Sequence, residues 1–330
     1  MRILVTGGLG YIGSHTCVEL MEMDHEVIIV DNLSNSKESV LKGIERITNK
    51  IPKFYKVDIN NLDRMKVIMK ENLPDSVIHF AAYKSVPESE NHPIPYYRNN
   101  LGGLINLLFS MEGIVKSFIY SSSCSVYGEP SKFPVKEDSP TVYAESVYGD
   151  TKIKGEEILR RLKHLNTVSL RYFNPMGAHE SLEIGENPLG TPENLLPKMI
   201  QYSLEGKKFI INGNDWETPD GTCIRDFIHV VDLAKAHVKA LDFILKKTEP
   251  DFIPLNIGTG KGTSVKEIVD VFNRVSEKKL EYSFGERRNG DIGKIWGDCK
   301  KAEMLLGFKT KFGIVDMVES AWAWENKKRD

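Results

Sequence analysis

Tyr148 and Lys152 stand four residues apart in SVYGDTKIKGEEILRRL, a stretch of helical periodicity, and residues at that spacing share one helix face. A tyrosine of ordinary pKa, about 10, is a poor base at neutral pH, but a neighbouring ammonium favours the phenolate and lowers it. The pair can then exchange a proton with a substrate hydroxyl. Upstream, YSSSCSVYG (Tyr120 to Gly128) follows a run of β-forming residues, so Ser123 at the strand end can donate a hydrogen bond to the same oxygen. Taken alone, the Tyr/Lys pair reads as a surface pair and the serines as a turn formed for local hydrogen-bonding reasons.

The elements that must position these groups give the combination its meaning. Apolar runs of strand length recur at Arg2 to Val5, Glu26 to Val30, Ser76 to Phe80, Ser117 to Tyr120 and Val168 to Arg171. Helical spacings lie between them: Leu62, Met65, Met69, then Tyr97, Leu101, Leu104, Leu108, Met111. Apolar strands alternating with helices predict an α/β fold, a doubly wound parallel sheet covered on both faces. In such a sheet ligands bind outside the carboxyl ends of the strands, where SSSCSVYG begins.

TGGLGYIGSH follows the first strand and opens a helix, which sets Gly7, Gly10 and Gly13 at the spacing of a dinucleotide-binding turn. One glycine permits the turn, one lets backbone approach a pyrophosphate, and one lets the helix pack on the sheet. Asp31 ends the second strand in IIVDNLSNS, where its carboxylate can accept from ribose hydroxyls and repel a 2′-phosphate, favouring NAD over NADP. Ser, Tyr and Lys beside a nicotinamide form a coherent hydride-transfer site.

From Pro175 to Arg225 the periodicity degrades into segments such as ENPLGTPEN and NGNDWETPDGT. It returns with a helix over Asp232 to Leu245, a strand over Ile253 to Ile257, and a helix from Ser264 with Glu267 completing a capping box. We expect a dinucleotide domain over 1–174 and a smaller, loop-rich α/β substrate domain over 175–330, with the segment near 226–258 packed back on the first and a ligand cleft between them. The final ENKKRD reads as a solvated tail.

Lys and Arg total 44 against 46 Asp and Glu. That balance provides no field for a polyanion, so nucleic acid is not an expected partner. Cys17, Cys124, Cys223 and Cys299 lack paired spacing, and His15, His79, His179 and His229 lack metal-ligand spacing, so no metal is expected. Cys124 is read as packing rather than nucleophile. MRILVTGG has no apolar export core and no run reaches membrane-span length, so a cytoplasmic location and no membrane partner are expected.

TGGLGYIGSH, DNLSNS, SSSCSVYG, YGDTK and LRYFNPMGAH together resemble the extended short-chain dehydrogenase/reductase family, from Met1 to about Trp324. RYFNPMGAH and GTCIRDFIHVVDLA are the most specific, since a generic nucleotide fold has no need of them. The likeness is to the branch that inverts UDP-hexoses at sugar C4. It implies that Tyr148 takes the 4-hydroxyl proton while a tightly held NAD takes the C4 hydride. Lys152 lowers the tyrosine pKa and binds the nicotinamide ribose, and Ser123 steadies the 4-oxygen. By the same resemblance NAD contacts Tyr11, Ile12, Asn32, Asn35, Ser36, Asp58, Ile59, Phe80, Ala81, Lys84, Asn99 and Tyr172. The UDP-sugar meets Asn174, Asn194, Leu195, Arg225, Arg288 and Asp291, and the active form is a homodimer.

Four positions depart from the family pattern. The residue before Tyr148 is not proline, Asp150 replaces a basic or neutral residue, Cys124 stands where alanine is common, and Ile295 stands where a bulky tyrosine narrows the pocket of members restricted to plain hexoses. The smaller side chain implies tolerance of UDP-N-acetylhexosamines. A nucleotide-sugar dehydratase needs an acid/base pair directly after the active serine or threonine, and Cys124 and Ser125 cannot supply it. A simple reductase is set aside only by the resemblance, and a non-catalytic dinucleotide sensor has no use for Ser123, Tyr148 and Lys152 together.

Overall fold

The computed structural model describes residues 1–141, 143–288 and 290–328. Its strands are β1 (Arg2–Thr6), β2 (Glu26–Asp31), β3 (Lys53–Lys56), β4 (Ser76–His79), β5 (Ser117–Ser123), β6 (Asn166–Tyr172), β7 (Asn174–Met176), β8 (Phe209–Asn212), β9 (Ile224–His229), β10 (Phe252–Ile257), β11 (Gly262–Ser264), β12 (Tyr282–Gly285) and β13 (Lys294–Ile295). The helices are α1 (Tyr11–Glu22), α2 (Val40–Thr48), α3 (Leu62–Asn72), α4 (Val86–Asn91), α5 (Pro93–Tyr96), α6 (Gly103–Met111), α7 (Val147–Arg161), α8 (Leu195–Leu204), α9 (Val230–Ile244), α10 (Val265–Val275), α11 (Lys300–Leu306) and α12 (Ile314–Lys327).

Seven strands form one parallel sheet in the order β10-β6-β5-β4-β1-β2-β3. Alternate residues point to opposite faces. Ile3, Val5, Ile29, Ile78, Ile119 and Leu170 pack on one side with Val18 and Leu20 of α1 and Leu233 and Leu241 of α9. Leu4, Ile28, Val30, Val77 and Phe118 pack on the other with Met65 and Met69 of α3 and Leu104 and Leu107 of α6. The chain leaves β1 toward β2 on one side and reaches β4 on the other, so the strand order reverses at β1 and opens a crevice at its carboxyl end.

β9 carries a second sheet with β7, β11 and β13, and β8 pairs β12. Helices α8, α10 and α12 cover them around Leu196, Met199, Phe227, Ile268, Phe272 and Met317. β7, α8 and β8 all fall where the sequence reads as irregular. Each is short, and Pro197 in the first turn of α8 interrupts the periodicity while remaining compatible with a helix start. β3 also escapes the pattern, because KFYK at the sheet edge sets two aromatics between lysines instead of forming an apolar run. Of ENKKRD, the first three residues are helical: α12 continues through Lys327, which pairs with Glu183 at 2.7 Å, while Asn326 to Lys328 are exposed. Its last two residues, Arg329 and Asp330, lie outside the described residues.

Candidate active site

The turn after β1 is a bare backbone cradle. Gly7 takes φ +67°, and a Cβ there would lie 2.8 Å from Ala81 N. A Cβ at Gly13 would lie 2.2 Å from Gly7 O, so α1 can press against the turn only through glycine. Asp31 fixes the loop from β2: its Oδ2 accepts from Leu9 N at 3.0 Å, and its Oδ1 accepts from Leu33 N and Ser36 Oγ at 2.9 Å each. A cavity of about 330 Å³ opens above these groups.

Ser123, Tyr148 and Lys152 border the same cavity. Ser123 ends β5 and accepts from Ser125 N at 3.1 Å. α7 begins at the Ser146 cap, whose Oγ accepts from Gly149 N at 3.1 Å. Two groups of α4 hold its first turn: Glu90 Oε1 accepts from Val147 N at 2.7 Å, and Ser89 Oγ accepts from Tyr148 N at 3.2 Å. Lys152 Nζ donates to Ser121 O at 2.6 Å and lies 5.1 Å from the Tyr120 ring centroid and 5.7 Å from that of Tyr148. Asp150 has a structural place, accepting from Tyr97 OH at 2.6 Å and pairing with Lys154 at 3.3 Å. Cys124 packs against Val126, Phe173 and Ile295, and burial pushes its thiol up to about 12, which makes it inert.

The electrostatics of the pair differ from the sequence expectation. Burial pushes Tyr148 up to about 12, opposed by the Ser123 hydroxyl. Burial also lowers Lys152 to about 7, opposed by Glu156. A desolvated lysine that spends its proton on a carbonyl is a weaker source of positive charge than helical spacing implies, so the ammonium does not hold Tyr148 below its ordinary value.

Of the residues expected around a dinucleotide, Gly7, Gly10, Tyr11, Ile12, Gly13, Asp31, Asn32, Asn35, Ser36, Ile59, Phe80, Ala81, Lys84, Asn99 and Tyr172 border the cavity. Asp58 does not. It sits behind, where its carboxylate accepts from Asn32 Nδ2 at 3.0 Å and from the Asn60 amide at 2.8 Å, and so orients a residue that does.

Of the residues expected around the sugar nucleotide, Asn194 borders the cavity with Ser123 and Tyr148. The cavity wall does not include Asn174, Leu195, Arg225, Arg288, Asp291 or Ile295. Arg225, Arg288 and Asp291 do converge, but on one another: Arg288 Nη2 lies 2.8 Å and Arg225 Nη2 4.0 Å from Asp291 Oδ1. Ile295, opposite Arg225 in the register of β13 on β9, is 2% exposed and packs among Val126, Tyr127 and Phe173, so it opens no room toward the cavity.

Sequence reasoning missed the segment 183–188, which forms part of the cavity wall together with Trp324 of α12. Glu183 pairs with Arg46 of α2 at 2.9 Å, and Glu186 pairs with Lys84 at 3.6 Å and accepts from Asn194 Nδ2. Trp324 Nε1 donates to Glu186 O at 3.3 Å, and a Cβ on Gly185 would lie 2.6 Å from the indole. Nothing in the spacing of this aperiodic stretch marks it. Among the described residues no group of three or more His, Cys, Asp or Glu is arranged to hold a metal ion, and no helix is long and apolar enough to cross a membrane.

Residues 3–258 match the model of the NAD dependent epimerase/dehydratase family. The chain belongs to that family. It is 46% identical to UDP-glucose 4-epimerase of Bacillus subtilis (strain 168), over 99% of this chain and 97% of that one. A crystal structure of UDP-glucose-4-epimerase from Stenotrophomonas maltophila, with bound NAD and formylated UDP-arabinopyranose, superposes with a TM-score of 0.96 at 42% identity, covering 100% of this chain and 99% of the other. The enzyme from Bifidobacterium longum, in complex with NAD⁺ and UDP, gives 0.96 at 41% identity with the same coverage.

Proposed function

We propose that the chain interconverts UDP-galactose and UDP-glucose by inversion at sugar C4, through a 4-keto intermediate, with NAD resident in the cleft. One observation carries this reading: the glycine cradle, Asp31, Ser123, Tyr148 and Lys152 all border a single cavity. The donor set fits the cofactor. Amides at the start of α1 suit a pyrophosphate, Asp31 suits the adenosine ribose, Ile59 and Phe80 offer apolar walls, and Lys152 with Tyr172 lies at the opposite end, by Tyr148. NAD held there would supply a reversible hydride acceptor for the sugar C4.

Tyr148 takes the 4-hydroxyl proton in one half-reaction and gives it back in the other, while Ser123 donates to the 4-oxygen throughout. Lys152 orients the nicotinamide ribose. Arg225 and Arg288 exchange Asp291 for the diphosphate, whose oxygens suit their forked donors better than one shared carboxylate. Asn194 and Leu195 at the start of α8, and Asn174 on β7, meet the UDP-sugar, Asn194 from the wall it shares with Ser123 and Tyr148. Purified protein should carry NAD and convert UDP-galactose to UDP-glucose with no cofactor added. A requirement for stoichiometric NAD would refute the reading.

The domain division at 1–174 and 175–330 belongs to this proposal, with α9 and β10 serving the first unit. So does a cytoplasmic location. A homodimer is supported by α6, which leaves Ile105 and Phe109 half-exposed one turn apart. Sedimentation of Phe109→Glu as a monomer, beside a dimeric parent, tests it. Acceptance of UDP-N-acetylhexosamines now requires Ile295 to withdraw from its apolar cluster, and turnover of UDP-N-acetylglucosamine decides that point.

A further inference from the structure

Helix α7 carries a third acid/base group on the face of Tyr148 and Lys152. Glu156 lies one turn beyond Lys152 and two beyond Tyr148, is 3% exposed, and enters none of the roles assigned above. Its Oε1 accepts from Ser122 Oγ at 2.7 Å, Ser169 Oγ at 2.8 Å and Arg171 Nε at 2.9 Å, and its Oε2 lies 2.5 Å from Arg171 Nη2. One carboxylate thus ties α7 to β5 and β6, and the β5 tie is the residue before Ser123.

The surroundings make this contact rigid. Arg171 is 1% exposed, and its Nη1 donates to Tyr127 OH at 3.1 Å and Glu137 O at 3.0 Å, while Tyr127 OH donates to Asn256 Oδ1 at 2.6 Å. Beside the carboxylate, a Cβ on Gly155 would lie 2.2 Å from Tyr120 OH, so helix and strand are already at closest approach. A buried acid with all its partners present fixes the axial position of the helix, because sliding α7 would strand both charges in the interior.

We infer that Glu156 is a positioning residue of the active site: it locks α7 to β5 so that Tyr148 faces Ser123, and it supplies the negative charge that Lys152 faces. The inference rests on the epimerase reading. The titratable and charged groups around Lys152 are His79 from β4, Tyr120 from β5, Tyr172 from β6, and Tyr148 and Glu156 on α7, with Arg171 behind Glu156. Of these, Glu156 is the acid that opposes burial and raises the lysine's pKa. Activity that depends on the ammonium is present below the Lys152 pKa and lost as pH rises through it. Removing the carboxylate charge moves that limb to lower pH. At the ~6 Å separation of i,i+4 neighbours and an effective dielectric of about 20, Coulomb's law gives about two pH units, which Arg171 cuts to between about half a unit and two.

The test measures kcat and KM for UDP-galactose against pH, with NAD content determined separately, in the parent, Glu156→Gln and Ser122→Ala. The parent must first turn over; if it does not, the epimerase reading has failed and not this inference. Glu156→Gln should move the basic limb of kcat down by at least half a unit with KM within about twofold, and an unmoved limb overturns the inference. Ser122→Ala leaves every charge and the Lys152 bond to Ser121 O in place and cuts only the tie from Glu156 to β5. It should lower kcat three- to tenfold with KM, limb and NAD content as in the parent. If the Gln variant does not fold, Ser122→Ala carries the decision, and parental kcat in that variant overturns the inference.

Discussion

Lys152 is kept inside the protein at a cost that its removal should expose. Burial lowers it to about 7 from the ordinary lysine value of 10.5, so between those pH values the unfolded chain binds a proton that the folded chain does not. Stability therefore rises with pH across that window and is lowest below it, where the fold must hold the charge in its interior. At about 1.36 kcal/mol per pH unit, the cost is about 5 kcal/mol at pH 6 and about 2 kcal/mol at pH 9. Lys152→Met keeps the aliphatic length and removes the titration. It also removes the donor to Ser121 O, a loss of about 1.5–3 kcal/mol at pH 6, where the donor is charged, and about 0.5–1.5 kcal/mol at pH 9, where it is neutral. The variant should be more stable than its parent by about 2–3 kcal/mol at pH 6 and close to it at pH 9. With an unfolding entropy of about 2.1 cal/mol/K per residue, that is a rise of about 4 °C in Tm for a chain of 330 residues. Circular dichroism melts of both proteins, freed of dinucleotide and run at fixed ionic strength, read the difference, and groups common to both cancel. A variant that melts at or below its parent at pH 6, or a gap that does not narrow by pH 9, refutes the electrostatic account.

Tyr148→Phe should lower kcat by about 10²- to 10⁴-fold, the range for loss of a positioned acid/base group, while NAD content stays at the parental level; parental turnover would leave the tyrosine without a role. Gly13→Ala sets a Cβ 2.2 Å from Gly7 O, a backbone atom that cannot yield locally, so α1 must move off the turn. That variant should fold about 1–3 kcal/mol less stably and emerge from gel filtration without dinucleotide, and retention of the cofactor would show that the cradle is not where it binds.

Much of the dinucleotide-binding half was legible because its signals are periodic or fixed by spacing. The apolar strands carry their own period, and the glycine turn and Asp31 are marked by spacing and by their places at strand ends, although the contacts that use them reach Ala81 and Leu9. The Ser264 cap reads equally well: its Oγ accepts from Glu267 N at 3.0 Å, and Glu267 Oε2 accepts from Ser264 N at 2.6 Å. The wall formed by 183–188 could not be read, because Glu183, Gly185 and Glu186 acquire their meaning from Arg46, Trp324 and Lys84, each about a hundred residues or more away in the chain. Ile295 shows a different limit. Side-chain size at one position bears on pocket volume only if the side chain points there, and the register of β13 on β9 sends this one into an apolar cluster. The Tyr148/Lys152 pair shows a third: spacing places two groups on one face, but burial sets their pKa values, and burial is a property of the whole fold.

That last point has a spectroscopic consequence. With Tyr148 pushed up to about 12 and Lys152 engaged by Ser121 O, the chain's own groups leave the phenol protonated at neutral pH. A positive charge placed against the cleft side of the ring favours the phenolate, and at about 6 Å with an effective dielectric near 20 it is worth about two pH units. The oxidised nicotinamide is cationic and the reduced one is not. Phenolate absorbance, taken as the difference between the parent and Tyr148→Phe, should show no Tyr148 titration up to pH 10 in dinucleotide-free protein, and a midpoint about two units lower when loaded with NAD⁺ than when loaded with NADH. If the two loaded forms titrate together, the ring does not sense the cofactor's charge, and the base must be activated by another group in the protein.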